Sequence, residues 1–159
     1  MNAIPSPAAP QARLAPLTHA LLDAVHAVEQ SAHSHPWSRG NLAGALQAGY
    51  LAQCLLGGQE DTLLGYFIAM KGVDEVHLLN LVVAPPYQRQ GWAALMLEAL
   101  ALWSRGEGAQ KLWLEVRESN TRAQQIYLRH GFSRIGVRRG YYPNGPGPRE
   151  DAVVMSLQL

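Results

Sequence analysis

Apolar positions follow a helical rhythm at the start of the chain, a strand rhythm after it, and an alternation of the two from there to a C-terminal end that reads as strand. From His19 to Ala32, Leu21, Leu22, Val25 and Val28 fall on one face of a 3.6-residue repeat, which predicts a helix with Thr18 as its N-cap. After Pro36-Trp37-Ser38, a shorter helix runs through Leu42, Ala45 and Leu46, with Ser38 positioned to cap it and Gly49 to close it. Three strand-like runs follow, Tyr50–Leu56, Thr62–Met70 and Glu75–Val83, and Gly57-Gly58 and Lys71–Asp74 between them read as hairpin turns. The stretch from Gly91 to Ser104 is apolar nearly all round and predicts a helix buried on most sides. A strand over Lys111–Val116, a helix over Asn120–His130 stopped by Gly131, and strands near Phe132–Tyr141 and Ala152–Leu159 complete the order, the last two joined by a Pro/Gly-rich loop at Pro143–Pro148. With no internal repeat and no second-domain boundary, this succession argues for a mixed sheet covered by helices.

Composition narrows the function classes. A length of 159 residues suits one domain with a substantial core. Thirteen Lys+Arg against twelve Asp+Glu leave a formal charge of +1, so the chain has no domain-wide field suited to direct nucleic-acid binding. The single cysteine, Cys54, excludes an internal disulfide and a cysteine-cluster metal site, which suits a reducing compartment. His19, His26 and His33 recur every seven residues, but residues seven apart on a helix lie roughly 10 Å from each other, so a polar stripe is expected and no metal. Residues 1–11 are Ala/Pro-rich, lack the basic start and unbroken apolar run of a signal peptide, and read as a disordered leader before a single domain over 12–159. Leu78–Ala84 and Trp92–Trp103 are too short to span a bilayer, so the expectation is a cytoplasmic protein with no membrane partner.

The most informative segment runs Leu81-Val82-Val83-Ala84-Pro85-Pro86-Tyr87-Gln88-Arg89-Gln90-Gly91-Trp92-Ala93-Ala94. A strand ends, two prolines prevent its continuation, and a Gln-x-x-Gly-x-Ala turn opens directly into a helix. The first turn of a helix carries unpaired N–H groups and the positive end of the dipole, a combination that binds phosphate oxygens. Gly91, Ala93 and Ala94 permit close approach to the backbone, and Arg89 offers charge-assisted bonds. A glycine-containing turn alone is more often an ordinary tight connection, so the flanking residues decide.

Those flanks resemble the GNAT superfamily of N-acetyltransferases, whose acetyl-CoA pyrophosphate motif is Gln/Arg-x-x-Gly-x-Gly/Ala. His35-Pro36-Trp37-Ser38, Leu112-Trp113-Leu114-Glu115-Val116-Arg117-Glu118-Ser119-Asn120, Ile126-Tyr127 with Gly131-Phe132, and Arg138-Arg139-Gly140-Tyr141-Tyr142-Pro143 with Arg149-Glu150-Asp151-Ala152 resemble the RimI-type subfamily. Enzymes of that type acetylate the N-terminal alanine of a small-subunit ribosomal protein. The resemblance runs from about Ala12 to the C-terminus. It implies an α/β (α+β) fold, with a mixed, mostly antiparallel sheet of about seven strands flanked by about four helices. It also implies acetyl-CoA as co-substrate, no metal, a protein N-terminus as acceptor, and a monomer or weak dimer. Trp92, and Ala94 where relatives often carry a basic residue, depart from the motif; the second departure removes a cation from the phosphate site.

By the same resemblance Glu115 is the general base and Tyr127 the general acid. Leu81, Val82 and Val83 hold the acetyl and pantetheine portions, while Arg89, Gln90, Gly91, Trp92, Ala93, Ala94 and Asn120 hold the rest of the cofactor. Alternation puts Trp113, Glu115 and Arg117 on one side of a strand and Leu112, Leu114 and Val116 on the other. Alternation alone favours a surface carboxylate paired with a basic neighbour, and helical spacing alone favours a core tyrosine at Tyr127; the motif shifts both. A phenol near pKa ~10 donating to a thiolate near ~8.5 works uphill by roughly 2 kcal/mol, so hydrogen-bond stabilisation of the thiolate is the safer role for Tyr127. Trp37, Tyr141 and Tyr142 are candidate walls of a peptide-end groove, with Glu150 or Asp151 nearby. At pH 7.5 about a third of an α-amine is neutral against about one part in a thousand of a lysine, so a single modest base suits a protein N-terminus. Lysine or small-molecule acetylation, and a non-catalytic acetyl-CoA-binding module, remain the alternatives.

Overall fold

Two apolar faces on one sheet decide the architecture. The computed structural model describes residues 11–159. Its strands are β1 (Ala12–Pro16), β2 (Leu51–Gly57), β3 (Thr62–Lys71), β4 (Glu75–Val83), β5 (Lys111–Arg117), β6 (Ser133–Tyr142) and β7 (Glu150–Gln158), and its α-helices are α1 (Leu22–Ala32), α2 (Arg39–Gln47), α3 (Trp92–Gly106) and α4 (Thr121–Arg129). The strands form one seven-stranded sheet in the order β1-β2-β3-β4-β5-β7-β6. Every pair is antiparallel except β4 with β5, the two strands that α3 connects. This is the mixed sheet covered by helices that the succession of elements predicts, mostly antiparallel as the family resemblance implies.

One face packs against α3 and α4, where Met96, Leu97, Leu100, Tyr127 and Phe132 meet Phe67, Val76, Leu78, Leu112, Leu114 and Met155. The other packs against α1 and α2, where Leu22, Val25, Leu42 and Ala45 meet Cys54, Tyr66, Ile68 and Val82. Burial pushes the Cys54 thiol up to about 12, so it is an inert core group.

Three expectations change. Ala12–Pro16 is a strand paired with β2, and the Gln11 carbonyl accepts from the Gly58 N–H, so the sheet begins where the leader was expected to end. Residues 1–10 of that leader lie outside the described residues. The first helix begins as a single 3₁₀ turn at His19–Leu21, and Thr18 makes no side-chain cap bond. α3 is buried on one side only: Leu95 and Leu102 are exposed, 40% and 69%, because the sheet covers just the face bearing Met96, Leu97 and Leu100. Ser38 does cap α2, accepting from the Asn41 N–H at 3.0 Å.

The feature that shapes the site is the parting of β4 from β5. Their pairing covers only Glu75–Leu78 against Lys111–Leu114. At that point the β3 register shifts, Ala69 facing Leu78 and Ile68 facing Asn80, which leaves Leu79 as an extra residue on β4. A bulge bends the strand and reverses which face later side chains take. From Leu79 to Val83, β4 therefore presents a main-chain edge with no partner from β5. Gly65 keeps this strand in position from behind: a Cβ there would collide with the Val82 carbonyl oxygen and sit 3.1 Å from Met96 Cε. Gly65→Ala is expected to cost about 1–3 kcal/mol in denaturant unfolding, by displacing β4 or the Met96 packing. A stability equal to wild type would show that the strand yields there without strain.

Candidate active site

The two strands diverge into a cleft of ≈ 440 Å³, with β4 and the end of α1 on one wall and β5, the start of α4 and the end of β6 on the other. Trp37, Leu81, Glu115, Asn120, Tyr127 and Tyr142 all line it, so residues far apart in sequence come together here.

Glu115 leaves β5 on the face opposite Leu114 and Val116, as alternation predicts, and its side chain is only 6% exposed. His77 Nε2 lies 3.7 Å and an Arg138 guanidinium nitrogen 3.6 Å from Glu115 Oε1, so the carboxylate has polar neighbours and one nearby cation, Arg138, without a tight, committed ion pair. Burial lowers the His77 pKa against the opposing pull of Glu115, so His77 is neutral near pH 7. Its ring stacks on Trp113 with centroids 3.7 Å apart. The Tyr141 pKa is raised, first by the hydrogen-bonding interaction of its hydroxyl with Glu115 and then by burial. The carboxylate thus sits in a ring of His77, Arg138 and Tyr141.

Tyr127 belongs to the core and to the cleft at once. It is buried against Phe132, and burial pushes its hydroxyl up to about 12. Asn120 caps α4 by accepting from the Ala123 N–H at 3.2 Å while lining the cleft. Tyr142 stands under the Arg117 guanidinium, 4.5 Å from its ring centroid, and meets Tyr141 edge-on at 4.9 Å.

The turn before α3 is built as a cradle. Gly91 caps the helix with φ 89° and carries no capping side chain, Arg89 also has positive φ at 64°, and a Cβ on Gly91 would meet nothing within 4 Å. The space beside Gly91 is therefore open, at the N-terminus of α3 and the positive end of its dipole. Gln88 fastens the turn on both sides, donating to the Val83 carbonyl at 3.0 Å and accepting from Arg122 at 2.9 Å. The bulky Trp92 does not obstruct the turn: it packs on the core, and its indole N–H donates to Gln90 Oε1 at 3.2 Å.

The Arg-Glu-Asp run is structural. Glu150 accepts from Arg117 at 3.0 Å and from the Ser119 N–H at 2.9 Å, and Asp151 accepts from the Gly140 N–H at 2.7 Å. Arg149 donates to the Gly140 and Tyr141 carbonyls. These bonds fix the irregular end of β6, which carries Tyr142 to the cleft and Arg138 and Tyr141 to Glu115.

Sequence reasoning missed Glu29, Asn80, His77, Arg122 and Arg138, and treated His33 only as part of a stripe. Glu29 left a signal, because it shares the apolar face of α1 with Leu22 and Val25. His77 left none and Arg138 only its place in the Arg138–Pro143 run, since their meeting with Glu115 depends on strand order.

These features coincide with a family. The profile of the "Acetyltransferase (GNAT) family" matches residues 22–132, and the chain belongs to that family. More particularly, it is 43% identical over 132 residues, 83% of this chain and 90% of the relative, to a [ribosomal protein bS18]-alanine N-acetyltransferase of Haemophilus ducreyi. It is 39% identical to the enzyme of the same name from Escherichia coli K12, covering 87% of this chain and 91% of that one. The crystal structure of the ribosomal-protein-S18-alanine N-acetyltransferase from Escherichia coli superposes with a TM-score of 0.82 at 36% identity, covering 93% and 94% of the two chains.

Hydrogen bonds from Ser119 and Arg117 hold Glu150 below the usual carboxylate range. A depressed folded-state pKa contributes stability that is complete above the unfolded value of ~4.3 and is lost as pH falls through the folded value. Glu150→Gln is therefore expected to lower stability by about 1–2 kcal/mol at pH 7, with the gap to wild type closing at acid pH. A gap that does not change with pH would contradict the charge-based clamp.

Proposed function

We propose that this chain transfers an acetyl group from acetyl-CoA to the N-terminal α-amine of a protein that begins with alanine, bS18 being the acceptor named for its relatives. The reading assigns the catalytic unit to residues 12–159. The single observation that carries it is a buried carboxylate, Glu115, set on the wall of a cleft opposite the unpartnered edge of β4.

The chain's donors suit the co-substrate. The amides of Trp92, Ala93 and Ala94, with Arg89 and Gln90 beside them, would take the diphosphate, and Arg122 supplies a cation near the turn where Ala94 does not. Main-chain groups of Leu81, Val82 and Val83 would pair with the pantetheine arm in the manner of an added strand, and Asn120 would meet it from the start of α4. Bound acetyl-CoA supplies an activated thioester carbonyl.

In this reading Glu115 takes a proton from the acceptor ammonium, directly or through water, and so delivers a neutral nitrogen. A free main-chain N–H on β4 stabilises charge developing on the carbonyl oxygen. As the new C–N bond forms and the C–S bond breaks, coenzyme A leaves as its thiolate, the nitrogen gives up its second proton to that thiolate or to solvent, and Tyr127 donates a hydrogen bond toward the departing sulfur. With its hydroxyl at about 12, handing over the proton to a thiolate near ~8.5 is uphill by roughly 5 kcal/mol, so Tyr127 keeps its proton and acts by hydrogen bonding. Trp37 and Tyr142 line the cleft and Tyr141 meets Tyr142 edge-on beside it, and in this reading the three wall the acceptor side. An α-amine of pKa ~7.8 loses its proton to this arrangement more readily than a lysine at ~10.4, which favours the terminal amine.

A peptide starting with alanine and containing an internal lysine is expected to gain one acetyl group, located at its α-amine by fragmentation mass spectrometry. The same peptide with a blocked terminus is expected to gain none. Equal acetylation of the two would contradict the N-terminal assignment in favour of lysine. Glu115→Gln is expected to lower kcat about 100-fold or more with little change in CoA affinity; an unchanged rate between pH 7 and 8 would remove Glu115 from the base role.

A further inference from the structure

Glu29 is a buried carboxylate that none of the steps above employs. It is 1% exposed, on the last turns of α1, and lines the same cleft as Glu115. Its two oxygens have unequal surroundings. Oε1 accepts from the Tyr66 hydroxyl at 2.9 Å and the Asn80 amide at 2.6 Å, with His33 Nε2 at 3.8 Å, and the amide of Asn80 also donates to the Tyr66 oxygen at 3.0 Å. Oε2 is buried and has no hydrogen-bond partner among the described residues. Buried acceptors are almost always satisfied, more so when charged, and an orphan is a place where a donor from outside the chain is expected.

The location says which donor. Asn80 immediately follows the bulge at Leu79, where β4 leaves β5, so its bond to Glu29 ties the carboxylate to the open end of the cleft. Glu115 faces the cleft from the other strand. Between the two walls a group carrying several N–H donors and a positive charge satisfies both carboxylates. A protein's terminal ammonium has three such donors on a narrow stem, and Tyr66 and Asn80 hold Glu29 against rotating away from it.

We propose that Glu29 is a specificity-determining residue whose Oε2 receives the acceptor's α-ammonium and holds it while Glu115 removes the proton. The inference rests on the N-terminal reading above and adds to it a division of labour: Glu29 recognises the charged amine, and Glu115 discharges it. Asn80 and Tyr66 are positioning residues that act through Glu29.

The test measures binding apart from turnover. Calorimetry of the protein saturated with CoA is carried out with an alanine-ended peptide and with the same peptide N-acetylated. Wild type is expected to bind the free-amine peptide about tenfold or more tightly than the blocked one. Glu29→Gln keeps the shape and an oxygen for Tyr66 and Asn80, and is expected to abolish that preference while CoA affinity and melting temperature stay at wild-type values. A preference retained in the variant overturns the inference, and so does a parallel loss of CoA affinity and melting temperature, which would make Glu29 purely structural. Should Glu29→Gln fail to fold, the ¹³C carboxyl resonance of Glu29 in the wild type takes its place: it is expected to shift with the free-amine peptide and stay still with the blocked one, and no shift with either overturns the inference. A wild type that acetylates the peptide while the variant keeps its preference defeats this inference alone. A wild type that does not acetylate it defeats the underlying reading, and this inference with it.

Discussion

The divergence of β4 from β5 is the constraint from which the cleft follows. Parallel strands tend to remain paired along their length, because each unpaired main-chain group is costly unless water or a ligand takes it. Here the ladder stops after Leu78 and Leu114, and one extra residue, Leu79, turns the remainder of β4 away. The gain is an edge of free N–H and C=O groups in the middle of a sheet, where rigid neighbours hold them in register. β3 supports the bent strand from one side, with Gly65 allowing the close approach. Gln88 ties the last residue of the strand to the turn that opens α3. One irregularity thus fixes the relation between a strand edge and a helix N-terminus.

The second organising element is electrostatic. Two carboxylates, Glu29 and Glu115, are buried on opposite walls, and each is balanced by polar neighbours instead of a tight ion pair. Fully committed salt bridges would satisfy them and leave no capacity for a substrate. Tyr66, Asn80 and His33 attend to Glu29, while His77, Arg138 and Tyr141 surround Glu115. The motif residues Arg149, Glu150 and Asp151 lie outside this pair and act on the backbone, bringing the end of β6 to the cleft.

The legible parts of this structure are those set by local rules. The face taken by Glu115 follows from the alternation of β5, the capping of α2 from Ser38, and the open turn from Gly91 behind two prolines. What stayed hidden depends on distant pairing. β1 is a five-residue strand ending in proline with no pattern of its own, and it exists because β2 offers an edge. The bulge sits in an apolar run, Leu78-Leu79, where an extra residue leaves no trace in hydrophobicity. Leu95 and Leu102 made α3 look buried all round, although the sheet covers only one side. Glu29 was the recoverable omission, a charge on an apolar helix face.

The central claim is that the split between β4 and β5 is where an acetyl donor and an amine meet. A crystal structure with CoA covalently joined to the α-amine of an alanine-ended peptide tests it most directly. The account predicts the diphosphate on the amides of Trp92–Ala94, the pantetheine arm along the edge of Leu81–Val83, and the former amine between Glu29 and Glu115. Contradiction would be a conjugate bound elsewhere, or a β4 edge that closes onto β5 and leaves the cleft without it.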